Sequence, residues 1–213
     1  MTALTSDVLE HTGRVETLAA RSSRALAWLT WGLAATGLGL TLSAAGLAGA
    51  RFAAPFLLLA AAGWVLFWRP AVVVSDAGVE LRNPLRSIGV PWDALAHVDT
   101  KYALTLVTGS GRFTAWAAPA PGIWGARRAR PEHLDGLPES TYGPARSIRP
   151  GDLAHTDSGQ AAAVVRRRWA EALASGTAHA GRAETTPVTR RVAWAETAVT
   201  AGLAVATLLT PGA

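Results

Sequence analysis

The chain has no cysteine, one methionine and one lysine, Lys101, and only 16% of its 213 residues are charged. Without thiols there is no disulfide framework, no cysteine-bound metal and no thiol chemistry. Charge falls well below the roughly 25% of an ordinary soluble domain, and mean hydropathy is positive at +0.22, which argues against a plain soluble enzyme. The short signatures of common catalysis are also missing. No G-x-S-x-G elbow occurs, and Gly109-Ser110-Gly111 lacks both the third glycine of a dinucleotide fingerprint and the lysine of a phosphate loop, so it reads as a hairpin turn. His11, His97, His133, His155 and His179 include no i, i+4 pair, the spacing a helical metal site would use. Asp93 and Asp99, and the group Glu132, Asp135 and Glu139, read as solvated charges. No catalytic residue, cofactor site or metal site is expected, and the chain is not expected to be an enzyme.

What is abundant is apolar: half of the residues are hydrophobic and nine are tryptophan. Ala25 to Gly49 is uncharged, and 25 residues at 1.5 Å each make about 37 Å of helix, enough for a hydrocarbon core of about 30 Å. After Arg51 a second uncharged run, Phe52 to Trp68, ends at Arg69-Pro70, with Trp68 placed as an interfacial anchor. Together they predict a helical hairpin over residues 25–68. Ala48-Gly49-Ala50 behind Arg21 and Arg24 also has the look of a secretory cleavage site, but the apolar stretch exceeds the 7–15 residues of a signal peptide. A third run, residues 192–209, is richer in Ala and Thr and contains Glu196. It is expected to span, with a surface-lying helix as the other reading, and Glu196 would then sit at headgroup level near Arg190 and Arg191. Of the 20 basic residues, 16 lie between Arg69 and Arg191 against 11 acids there. The positive-inside rule puts residues 1–24 and the long middle segment in the cytoplasm, on a multi-pass protein of the cell membrane.

Past Pro70 the period changes to two. Ala71-Val72-Val73-Val74 is a β-branched run, Asp76-Ala77-Gly78 a turn, and Val79 and Leu81 alternate with Glu80 and Arg82 up to Asn83-Pro84. Ile88 with Val90, then Leu104 with Leu106, then Arg112 to Trp116 extend the series, with Asp93 to Lys101 reading as a short turn or helix leading into a strand, and predict five to seven short strands of a small antiparallel sandwich or barrel. Residues 117–156 carry six prolines and several arginines and read as an irregular insertion. Asp157, with Gln160 three residues on, is expected to cap a helix whose stripe is Ala161, Val165, Trp169, Ala172 and Leu173, ended by Gly176. This closes a domain over residues 69–176, followed by a linker at 177–191.

Val72-Val73-Val74-Ser75-Asp76-Ala77-Gly78-Val79-Glu80-Leu81-Arg82-Asn83-Pro84-Leu85-Arg86, then Val90-Pro91-Trp92, Tyr102-Ala103-Leu104 and Gly111-Arg112-Phe113 through Ala117, resemble the bacterial PH-like domain of actinobacterial membrane proteins. Some of these are labelled low molecular weight protein antigen 6. The resemblance covers about 50 of the 213 residues. It implies a membrane α plus α+β architecture: a curved antiparallel sheet or barrel closed by a C-terminal amphipathic helix, on the cytoplasmic side of a membrane anchor, without known catalytic residues. The proline-rich insertion departs from the compact family pattern.

The functional lead is basic. Arg127, Arg128 and Arg130 in the insertion and Arg166, Arg167 and Arg168 on the helix are candidate contacts for anionic lipid or a protein partner, each contributing about 1 kcal/mol near an anionic leaflet. The other reading is that they serve topology alone. With a net charge of +5 and no recognition motif, nucleic-acid binding is not expected. On the first span, Gly32, Ala35, Thr36, Gly39 and Ser43 form a small-residue face suited to close helix approach, either to the second span or to another copy.

Overall fold

The computed structural model describes residues 15–120 and 156–209. After a short strand β1 (Glu16–Leu18), helix α1 (Arg21–Ala45) runs through the uncharged stretch and stops at Gly46, where φ is +57°. A 3-10 segment, Gly46–Phe52, reverses the chain into α2 (Ala53–Gly63), and a single π-helical turn, Trp64–Trp68, ends the hairpin. The stretch Arg21–Trp68 is the one helical stretch among the described residues that is long and apolar enough to cross a membrane. The two arms are antiparallel. Trp31 Nε1 donates to the Ala60 carbonyl at 3.0 Å, the Phe56 ring closes on Gly37, and Thr30 closes on Gly63.

That contact corrects one expectation. Gly32, Ala35, Thr36, Gly39 and Ser43 are all exposed and do not face the second arm; a Cβ on Gly32 or Gly39 would meet nothing within 4 Å. A bulky ring, Phe56, needs a glycine opposite it, and Gly37 lies on a different face from the Gly32–Ser43 stripe.

Two antiparallel sheets follow. The first has the order β1-β2-β3-β4-β8, with β2 (Ala71–Ser75), β3 (Gly78–Asn83), β4 (Arg86–Pro91) and β8 (Thr189–Val192). The second is β5 (Leu95–Asp99), β6 (Ala103–Thr108) and β7 (Gly111–Pro119). Turns fall where the breakers predicted. Ser75 pairs with Gly78 across Asp76-Ala77, Asn83 with Arg86 across Pro84-Leu85, and Thr108 with Gly111 across Gly109-Ser110. Gly78 is required as glycine: its φ is +152° and a Cβ there would run into the Val90 carbonyl and Pro91.

The alternating residues meet between the sheets. Val72, Val74, Val79, Leu81, Ile88, Val90, Leu104, Leu106 and Phe113 form one core, and helix α3 (Asp157–Ala174) covers it with Ala161, Ala162, Val165 and Ala172 buried and Trp169 and Leu173 packed against the rim. The cap of α3 is Thr156, one residue before the expected Asp157: its side chain accepts from the Gly159 N–H at 3.0 Å. Gly176, with φ +73°, ends the helix and returns its N–H to the Leu173 carbonyl.

β5 forms where residues 93–101 read as a short turn or helix, because β6 offers it a pairing edge, and two further strands lie outside the expected boundaries. β1, in the N-terminal segment, pairs with β2 through Glu16–Val74, Thr17–Val73 and Leu18–Val72. β8, partly in the expected linker, pairs with β4 through Thr189–Gly89 to Val192–Arg86. Leu18 and Val188 pack on the same core. The last helix, α4 (Trp194–Leu208), rests against α2.

Candidate functional site

The apolar helices and the sheets are welded at one junction, and Pro70 explains its form. A proline has no N–H, so the Leu66 carbonyl, four residues earlier, has no helical donor from Pro70. The turn widens to π geometry, with Arg69 N–H reaching the Trp64 carbonyl at 2.9 Å, and Trp116 of β7 donates its indole Nε1–H to Leu66 O at 2.7 Å.

Trp116 is itself held from below. The β6–β7 register shifts between Ala103 and Thr105, and buried Asn83 at the end of β3 bonds the β7 backbone there. Its Nδ2 donates to Thr114 O at 2.9 Å and its Oδ1 accepts the Trp116 N–H at 2.8 Å. One amide thus replaces two ladder bonds and closes β3 onto β7. Arg69 ties the third side: its guanidinium donates to the Asn83 carbonyl, to Pro84 O at 3.3 Å and to Glu196 Oε1 of α4 at 2.8 Å. The Ala193 N–H adds a bond to Leu85 O at 2.9 Å.

Beside this weld a cleft of 880 Å³ opens between the start of α1 and the sheets. Leu26 and Phe67 wall it on the helical side, and Leu85, Trp116 and Val192 on the sheet side. Its polar lining includes Ser22, Ser23 and Arg86, with no carboxylate among the described lining residues. Arg86 is exposed and has no ion pair among the described residues. Within two residues of Leu26 and Phe67 a tryptophan cluster begins: Trp28 and Trp68 are 6.0 Å apart, Trp31 lies 5.3 Å from Trp28, Trp64 stacks on Trp68 at 6.4 Å, and Arg24 sits 4.8 Å over the Trp68 ring. Asp157, opening α3, reaches the same end of α1; burial holds its carboxyl above the ordinary carboxylate range, opposed by a hydrogen bond from the Arg21 backbone N–H and by the Arg21 charge.

The helix arginines singled out in the sequence have internal partners. Arg168, its side chain only 10% exposed, faces Glu16 at 3.2 Å, Asp76 at 3.4 Å and Glu171 at 3.8 Å. Arg167 pairs with Glu16 at 3.1 Å and Glu171 at 3.8 Å, and Arg166 donates to Val98 O at 3.2 Å. These contacts pin α3 to β1 and β5, beside a smaller cavity of 340 Å³ bounded by Asp76, Trp92 and Arg168. Arg127, Arg128 and Arg130 lie outside the described residues. Asp93 and Asp99 stay apart: Asp99 pairs with Arg112 at 2.8 Å, while Asp93 accepts the His179 N–H at 2.6 Å. No group of three or more His, Asp or Glu suited to a metal occurs among the described residues.

Two antiparallel sheets fold around one core that a helix closes. Residues 69–152 match the family model described as Bacterial PH domain, which supports a bacterial PH-like domain in this part of the chain. The match stops short of α3 and includes neither β1 nor β8. Comparison with curated proteins and with solved structures gives no match.

Proposed function

We propose that the protein is a multi-pass membrane protein whose helices hold a PH-like domain against the cytoplasmic face, where it acts as a binding or scaffolding module without catalysis of its own. The observation that carries this reading is the distribution of apolar surface. On the helices Trp28 is 64% exposed, Leu33 63%, Trp194 74% and Leu208 85%, whereas the sheet core is closed. Apolar surface of this extent on three adjoining helices suits lipid. Arg69 and Glu196 then meet at headgroup level, where an ion pair is tolerated. In this arrangement α1, α2 and α4 span, and anionic lipid is the partner that basic residues on the cytoplasmic side would meet, Arg127, Arg128 and Arg130 among them.

The test is topology combined with extraction. The full chain should resist alkaline carbonate, reporters fused after Arg24 and near Gly136 should read cytoplasm, and one at Ala213 should read the outside. A cytoplasmic Ala213 leaves α4 lying on the surface, and release by carbonate overturns the membrane reading.

The exposed stripe Gly32, Ala35, Thr36, Gly39 and Ser43 favours a second reading, an accessory subunit that stabilises or regulates another membrane protein complex, or pairs with its own copy, through α1. Cysteine placed at Gly39 in this cysteine-free chain should then cross-link in native membranes, to itself or to one stoichiometric partner. Absence of any cross-link removes that reading.

A further inference from the structure

We infer that the junction cleft holds one anionic glycerophospholipid, with acyl chain against Leu26, Phe67 and Trp116 and phosphate on Arg86. This rests on the membrane reading above and names a ligand for it. The first argument is depth. Leu26 and Phe67 stand next to the tryptophan cluster, and tryptophan settles where hydrocarbon gives way to headgroups. The cleft therefore opens at the level where a lipid already presents both its phosphate and the start of its chains.

The second argument is chemical complementarity. The walls are mainly apolar, and the lining combines Arg86, which has no ion pair among the described residues, with two serine hydroxyls. A guanidinium beside hydroxyl donors suits a phosphate. Among the described residues no lining carboxylate is present to receive an ammonium group, so phosphatidylglycerol fits better than phosphatidylcholine. The volume, 880 Å³, lies in the range of about 300–1,000 Å³ typical of ligand clefts. The third argument is rigidity. Both walls are fixed by the Trp116–Leu66 bond and the Arg69 contacts, so little ordering cost falls on binding.

The experiment uses the full chain, extracted in mild detergent and incubated with equal amounts of phosphatidylglycerol and phosphatidylcholine, with retained lipid read by native mass spectrometry. One phosphatidylglycerol per chain should be retained in preference to phosphatidylcholine. Arg86→Gln should weaken its retention about tenfold, the loss of one charge-assisted contact, and Val192→Trp, which fills the cleft from the exposed edge strand, should abolish it at unchanged melting temperature. Leu85→Trp fills the same cleft from the β3–β4 turn and replaces Val192→Trp if that variant does not fold. Equal retention of the two lipids, retention unaffected by Arg86→Gln, or retention surviving a filled cleft each overturns the inference. Displacement by soluble glycerol 3-phosphate also overturns it, since the site would then recognise the phosphate without the chains. Carbonate extraction of the membranes before detergent is added separates the two readings: a chain washed from membranes fails the membrane reading, and an integrated chain without specific lipid fails the cleft alone.

Discussion

At the residue scale one group among the described residues works against the domain. Thr100, between β5 and β6, is fully buried and its Oγ1 has no hydrogen-bond partner. A buried hydroxyl left unsatisfied costs about 1–3 kcal/mol, while its methyl fills space usefully. Thr100→Val keeps the shape and removes the orphan, so it should raise stability by about 1 kcal/mol and shift the melting temperature upward by a few degrees. A lower melting temperature would mean that the hydroxyl is satisfied in solution. Asn83 is the opposite case. Its amide is doubly used, and no sequence pattern distinguishes it from any other Asn-Pro turn residue. Arg168 likewise carries no sequence mark that separates it from Arg166 and Arg167, yet its side chain is only 10% exposed and faces Glu16, Asp76 and Glu171. Three adjacent residues on a helix point in directions about 100° apart, so their fates differ once one face is buried.

At the element scale, α3 is the piece whose loss opens the core. Its apolar stripe was legible because the i, i+4, i+8 recurrence has only one helical reading, and the buried set Ala161, Val165 and Ala172 lies on it. Trp169 and Leu173 pack on the core without being enclosed. Replacing both by Asp in the full chain should cost about 4 kcal/mol through lost apolar burial and poorly solvated charge, read as a large fall in the melting temperature of the sheet domain. An unchanged cooperative melt would show that α3 does not belong to that core. β1 and β8 were not legible. They are three and four residues long, and β8 is exposed throughout. An edge strand that buries nearly nothing leaves no alternation to read, and it forms because its neighbour offers unpaired backbone groups.

At the scale of the whole molecule, those two edges change what the domain is. β1 precedes the helical hairpin in the chain and β8 follows the segment after α3, so the five-stranded sheet is assembled from pieces on both sides of the helices. The segment 69–176, which the sequence delimits as a domain, leaves β2 and β4 as bare edges and breaks the Arg168–Glu16 pair. Expressed alone it should melt clearly below the full chain and tend to associate through those edges. Equal melting temperatures would show that β1 and β8 add nothing.

The amino-acid sequence by itself determined the long apolar stretches, the positions of β2, β3, β4 and β6 with their turns, the start of β7 and the helix after Asp157. All of these are local: a run of uncharged residues, a period of two or 3.6, or a breaker in its place acts within a few residues. Only the tertiary structure decided the rest. The cleft draws on Ser22, Leu26, Phe67, Arg86, Trp116 and Val192, and the weld on Leu66, Arg69, Asn83, Trp116 and Glu196. Such distant positions meet only because Pro70 leaves a carbonyl for β7 to satisfy and because the two sheets fold over one core, and neither partner in those contacts carries a periodic signal that names the other.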